Sequence, residues 1–170
     1  ASNMIATRYM KLFAHVPILL VDKPDDVLVV CFGTGQTTGA AGIHPRVKTV
    51  DSLELSSSVI NAGKMFADQN HDVLSNPKVN FVIQDGRNHL LTTHKFYDVI
   101  TSEPPPPRTA FTVNLYTREY YELQKRKLKP GGISAQWIPL HSQGEEEVAM
   151  HFKTFQSVFP YTMGWLSVAN

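Results

Sequence analysis

The sequence predicts an α/β fold in which a mostly parallel sheet carries helices on both faces. Three observations predict it. Apolar periodicity alternates between strand-like and helix-like segments along the chain. Residues 27–32 form a continuous apolar run bounded by charge on one side and glycine on the other, the pattern of a strand buried on both faces. A glycine-rich segment, 31–39, follows that run directly and leads into a helical stretch.

The elements follow in order. Residues 4–15 read as a helix packed outside the sheet, within an N-terminal helical segment of residues 1–20. The α/β core spans 25–168 and opens with the strand at 27–32. Further strands are expected at 47–53, 79–83, 97–101 and 133–138, with a last candidate at 162–168. Helices are expected between them at 37–42, 56–66, 87–92, 117–128 and 144–158. Pro104 to Pro107 must be extended, because each proline restricts the residue before it. Lys129-Pro130-Gly131-Gly132 reads as a helix stop and turn before the fifth strand.

Bulk properties narrow the function. The 170 residues suit one domain, and 42% hydrophobic with 18% charged residues describes a globular chain rather than a disordered one. A net charge of +1 provides no field to recruit nucleic acid. One cysteine excludes an internal disulfide and a cysteine-rich zinc site, and the seven histidines lack ligand spacing, so no metal is expected. The longest apolar runs, 27–32 and 16–21, fall far short of the roughly 20 residues that a membrane helix needs. Direct membrane insertion is therefore not expected. No segment resembles a signal peptide, so the expected location is the cytoplasm, or the cytosolic part of a membrane-associated protein.

The chemistry gathers at strand ends. Gly33, Thr34 and Gly35 follow the first strand, and glycine there lets backbone N–H groups approach a ligand without a Cβ in the way. Alone, such a cluster also describes a simple tight turn. Glu54 ends the second strand, where a carboxylate can accept both ribose hydroxyls of a nucleoside. Asp85-Gly86 closes the third strand, placing a further carboxylate on the same edge, within reach of an adenine amino group. The G-x-G-x-x-x-G spacing, with Gly39 third, together with Asp85-Gly86, favours a nucleoside sulfonium of the S-adenosylmethionine type over NAD. Cys31 reads as a small buried residue, Trp137 and Trp165 as core or interface aromatics, and His89 as a surface or loop residue.

The fourth strand runs into Glu103 and then four prolines. Taken in order, His15-Val16-Pro17, the glycine turn, His44-Pro45-x-Val47, Glu54, Asp85-Gly86, Tyr97-Asp98-Val99-Ile100, Tyr120-Tyr121-Glu122-Leu123 and Leu128-Lys129-Pro130-Gly131-Gly132 resemble the spermidine synthase family, the polyamine aminopropyltransferases. Within that family the chain is most similar to the bacterial spermidine-synthase-like domains often fused to transporter segments. The resemblance implies a Rossmann-like, S-adenosylmethionine-methyltransferase-type sheet and decarboxylated S-adenosylmethionine as co-substrate. It implies that Glu54 holds the ribose and Asp85 the adenine, with Gly33, Thr34, Gly35 and Gly86 shaping the cofactor site. Glu103 occupies the place of the catalytic acid, and Tyr9 that of its tyrosine partner. The small-molecule acceptor would be an amine. The family's N-terminal β-domain and last strand have no counterpart here, so the single domain 1–170 is expected to be one part of a longer chain or of a homo-oligomer.

Three departures bear on substrate. Thr34 stands where the family places an aspartate, Pro106 where it places a second acid, and Lys11 where a glutamate is usual. Putrescine carries two positive charges, and burying them unpaired costs several kcal/mol. An acceptor other than putrescine is expected, and loss of the acid at Thr34 opens the site to intact S-adenosylmethionine. Three readings follow: an aminopropyltransferase-like enzyme, an S-adenosylmethionine-dependent methyltransferase, or a non-catalytic nucleoside-binding domain of a larger protein.

Overall fold

A computed structural model describes residues 2–166. Five strands form one sheet: β1 (Asp26–Val30), β2 (Thr49–Glu54), β3 (Val79–Ile83), β4 (Tyr97–Ser102) and β5 (Leu128–Gln136). Their spatial order is β3-β2-β1-β4-β5, and each neighbouring pair is parallel. The direction of winding reverses between β1 and β4, the point where open α/β sheets hold their ligands. The mostly parallel α/β sheet expected from the sequence is present.

The helices are α1 (Ser2–Leu20), α2 (Gln36–Ile43), α3 (Ser57–Ala62), α4 (Ala67–Asn70), α5 (Gly86–Thr92), α6 (Arg118–Lys127) and α7 (Glu145–Gln156). Strand side chains alternate between faces, so β1 serves two cores at once. Val27 and Val29 pack with Ala14 and Ile18 of α1 and Ala40 and Ala41 of α2. Leu28 and Val30 pack on the other face with Leu90 of α5, Tyr120, Tyr121 and Leu123 of α6, and Phe155 of α7. A smaller cluster of Phe32, Ile60 and Val73 lies under α3 and α4.

The local differences from expectation have packing causes. Helix α1 runs through Pro17, although proline removes a backbone donor there, because Ala14, Pro17 and Ile18 are all buried on one side. Gly39 belongs to α2 rather than to the ligand turn: a Cβ there would come within 1.9 Å of the Asn70 main-chain oxygen. The segment Lys129-Pro130-Gly131-Gly132 is a bulge inside β5 rather than a turn before it. Tyr97 pairs with Leu128 and Val99 with Ile133, so the extra residues loop out opposite Asp98. Residues 162–166 form no strand, and the rest of the expected strand at 162–168 lies outside the described residues. His89 is buried, with Nε2 3.0 Å from Tyr97 Oη and Nδ1 3.2 Å from Gln84 Oε1, so it is a core residue rather than a surface one. Among the described residues, no helix is long and apolar enough to cross a membrane.

Candidate active site

Register brings the site together. Val30, the last residue of β1, pairs with Leu53 and with Ser102, so Cys31, Glu54 and Glu103 leave their strands at one level. The ladder extends one step further on each side, through Cys31 N–H to Leu53 O (3.1 Å) and Glu103 N–H to Val30 O (3.2 Å). Glu54 pairs with Ile83, which puts Asp85 just beyond the same edge. Cys31 sits at the centre, in the left-handed region at φ 73°. Burial, then the charges of Glu54, Glu103 and Asp85, push its thiol up to about 12. It is therefore an inert thiol surrounded by three carboxylates.

Glu103 is the most confined of the three. Tyr9 Oη donates to its Oε1 at 2.7 Å, and Thr37 Oγ1 donates to its Oε2 at 3.0 Å. Burial raises its pKa above the ordinary carboxyl range, and the two hydroxyl bonds offset part of that rise. A carboxylate with a raised pKa is a stronger base at neutral pH. Tyr9 is raised in turn, first by burial and then by the Glu103 charge, so its proton stays on the oxygen. Both helices that supply these hydroxyls, α1 and α2, are anchored in the same core, which fixes the carboxylate against rigid elements.

Glu54 and Asp85 are more open. Glu54 Oε1 accepts from the N–H groups of Leu55 (2.8 Å) and Ser56 (3.4 Å). Asp85 caps α5, its Oδ1 accepting from Asn88 N–H at 2.8 Å. Each spends one oxygen on its own turn; among the described residues the other oxygen has no hydrogen-bond partner.

The glycine turn divides by role. Gly33 (φ 53°) and Gly35 (φ 78°) both take the left-handed conformation that the turn requires. Gly33 is exposed with nothing near a would-be Cβ, while a Cβ on Gly35 would strike the Phe32 ring at 2.6 Å. Gly86 faces the core, where a Cβ would come within 2.5 Å of Val30, so its hydrogen secures packing of α5 on β1. Thr34 lies at the turn's centre, its hydroxyl accepting from Gln36 Nε2 at 3.3 Å and contacting Met10 Sδ at 3.7 Å.

Two neighbours were not assigned to the site from the sequence: Thr37 was not singled out, and Trp137 was read as a core or interface aromatic. Thr37, in the first turn of α2, reads as an ordinary helix residue until α2 is docked beside β4. Trp137 follows β5 as Glu103 follows β4, its N–H bonded to Ser102 O at 2.9 Å. Its ring stacks on Tyr9 with centroids 6.4 Å apart and planes 14° apart, and His141 lies 6.1 Å beyond. Its strand-end position was the available signal. Trp137 is half-buried and Trp165 exposed, so neither is a core aromatic.

Two cations that the sequence places near these elements, Lys11 on α1 and Arg108 after the prolines, are directed elsewhere. Lys11 acts on His15 and His71, depressing both after the larger effect of burial, which places it on the side of α1 away from Tyr9. Arg108 is exposed and stands 4.0 Å from Glu147. Among the described residues no group of three His, Cys, Asp or Glu side chains could hold a metal.

This arrangement defines a Rossmann-like α/β domain of methyltransferase type, with three carboxylates around a glycine turn at the switch point. Residues 6–166 match the spermine/spermidine synthase domain, and the chain belongs to that family. It is 32% identical over 159 residues to the polyamine aminopropyltransferase of Methanocaldococcus jannaschii, covering 91% of this chain and 54% of that one. It is 31% identical over 157 residues to the polyamine aminopropyltransferase of Bacillus cereus, covering 91% and 56%. Among solved structures, a spermidine synthase in complex with the transition-state analogue AdoDATO matches with TM-score 0.82 and 25% identity, covering 91% of this chain and 53% of that one. Spermidine synthase from Thermotoga maritima matches with TM-score 0.78 and 25% identity, covering 91% and 52%. The chain spans about half the length of the curated relatives it matches.

Proposed function

We propose that residues 1–170 act as one spermidine-synthase-like domain that binds decarboxylated S-adenosylmethionine, or S-adenosylmethionine, and transfers an aminopropyl group from the decarboxylated form to an amine other than putrescine. The observation that carries this reading is the Tyr9–Glu103–Thr37 arrangement beside Glu54 and Asp85 at the switch point. Gly33, Thr34 and Gly35 would cradle the nucleoside, Glu54 would accept from its ribose and Asp85 from its adenine. The unpartnered second oxygens of both acids fit that task. Gly86 would contribute by holding α5, and with it Asp85, against β1.

Decarboxylated S-adenosylmethionine would supply an electrophilic propyl carbon beside a sulfonium. Glu103 accepts the proton that the acceptor nitrogen sheds as its new C–N bond forms and the C–S bond breaks. Tyr9 keeps the carboxylate aimed. The cationic sulfonium and developing ammonium are both stabilised by the acidic edge. An acceptor with a single amine charge suits this site, because among the described residues the side chains that hydrogen-bond Glu103 are the hydroxyls of Tyr9 and Thr37 rather than a second acid. Trp137, stacked on Tyr9, offers an aromatic wall for the rest of the acceptor.

Methyl transfer from S-adenosylmethionine is a second reading, favoured by the uncharged Thr34 at the centre of the turn. Calorimetry with both donors, followed by mass spectrometry of products with a panel of amines, separates the readings. Tighter binding of the decarboxylated donor with release of methylthioadenosine is the expected result. Methylated product would overturn it, and nucleoside binding without product under every amine would make the domain non-catalytic.

A further inference from the structure

Thr37 Oγ1 lies within hydrogen-bonding distance of two acceptors at once. Glu103 Oε2 is 3.0 Å away, and the main-chain oxygen of Met10, on α1, is 3.3 Å away. One hydroxyl has a single proton, so it can donate fully to only one of them, while its lone pairs remain able to accept. The choice depends on the charge of Glu103. An ionised carboxylate is an acceptor only, and it draws the Thr37 proton into a charge-assisted bond. A protonated carboxyl can instead donate through Oε2–H to Thr37 Oγ1, and the Thr37 proton then turns to the Met10 carbonyl. Each state leaves the buried atoms satisfied, which matters because a buried polar atom without a partner bears its full desolvation cost. Tyr9 lacks this option: among the described residues its hydroxyl bonds Glu103 alone.

We propose that Thr37 is a positioning residue that accommodates both protonation states of Glu103 by switching its hydroxyl between that carboxyl and the carbonyl of Met10. The proposal rests on the reading of Glu103 as the acceptor's base and deepens it: the base is held in place before and after it takes the proton. It also ties proton uptake to α1 at the residue next to Tyr9. The titratable groups facing Glu103 are Tyr9 from α1, Cys31 after β1 and Tyr116 from the segment between β4 and α6. Burial raises all three, so none of them changes charge where Glu103 does. Glu54 and Asp85 act on Cys31 beside it, and among the described residues neither hydrogen-bonds Glu103.

The test is a carbon-13 NMR titration of the whole chain labelled at glutamate side-chain carboxyls and methionine carbonyls. Glu103→Gln and Met10→Leu assign the two signals. In the wild type and in Thr37→Ser, the Met10 carbonyl signal is expected to move with the same midpoint as Glu103. In Thr37→Val the Glu103 midpoint should move up, because its ionised form loses a donor, and Met10 should cease to follow it. Thr37→Ala carries the same two expectations if the valine variant does not fold. A Met10 signal indifferent to Glu103 in the wild type would overturn the proposal, as would a Thr37→Val or Thr37→Ala titration identical to the wild type. No substrate is present in this measurement. Failure of aminopropyl transfer would therefore remove the proposed function without touching the switch, and an indifferent Met10 would remove the switch without touching the function.

Discussion

The two edges of the sheet carry acids and treat them oppositely. Toward the amino edge, Asp25, Asp26, Asp51 and Asp98 each have a lysine. Asp25 lies 2.9 Å from Lys48, Asp51 2.8 Å from Lys95, and Lys129 reaches Asp26 at 2.6 Å and Asp98 at 2.8 Å. At the carboxyl edge Glu54, Asp85 and Glu103 make no ion pair among the described residues, although they crowd one thiol. The amino edge is neutralised from within the chain. The carboxyl edge leaves its acids without a cation among the described residues, and the proposed sulfonium or ammonium ligand would be their complement.

Substitutions can break this contrast, beginning with the largest expected effect. Glu103→Gln keeps the shape and removes the base, so turnover should fall by a factor of roughly 10² to 10⁴ while nucleoside binding measured by calorimetry is retained. Retained turnover would end the assignment of Glu103. At the other edge, Asp51→Ala takes the carboxylate acceptor from the buried Tyr97 hydroxyl and the shared partner from Asn80 and Lys95, which are both exposed. A loss of about 1–2 kcal/mol is expected in denaturant unfolding, since the buried Tyr97 hydroxyl loses a charge-assisted bond while the exposed Lys95 and Asn80 regain water.

The pH dependence should also have opposite signs at the two edges. Burial alone would raise Asp51, but bonds from Lys95, Asn80 and Tyr97 override it and hold its pKa below the ordinary 3.8. Its stabilisation is thus present above that value and lost as pH falls through the lower folded value. Glu103 is raised above its ordinary 4.5, so its favourable contribution is present below 4.5 and lost as pH rises through the folded value. Glu103→Gln should therefore raise the melting temperature at neutral pH and converge with the wild type in acid, whereas Asp51→Asn should lower it at neutral pH. Thermal scans at both pH values check the signs; a neutral-pH loss of stability in Glu103→Gln would contradict the picture of an edge strained for function. The smallest effect is expected for Arg108→Ala. Its exposed contact with Glu147 is at the limit of an ion pair, and stability should change by less than about 0.5 kcal/mol.

Much of this was legible in the sequence, and the reasons are specific. The run at 27–32 announced a strand buried on both faces, and β1 is that strand. Strand-end position alone placed Glu54, Asp85 and Glu103 on one edge, since a parallel sheet sends all its carboxyl ends one way. Tyr9 was attached to Glu103 through family resemblance, and the two are in contact at 2.7 Å. Other features depended on neighbours distant in sequence. Gly39 and Gly86 looked like ligand-loop glycines, yet Asn70 and Val30 occupy the space beside them. Lys11 looked like a charge at the acceptor site until the helical turn carried it round toward His15 and His71.

By itself, then, the sequence determined the α/β class, the order of the elements and the acidic character of the strand ends, because periodicity and strand-end position are local properties of a chain. Only the tertiary structure decided which of the three acids is buried between two hydroxyls. That depended on α1 and α2 docking into one core so that two hydroxyls, 28 positions apart as Tyr9 and Thr37, meet the same carboxylate. Hydrogen bonds of this kind reach only about 3 Å, and no local pattern in a sequence encodes where such a distance will be met.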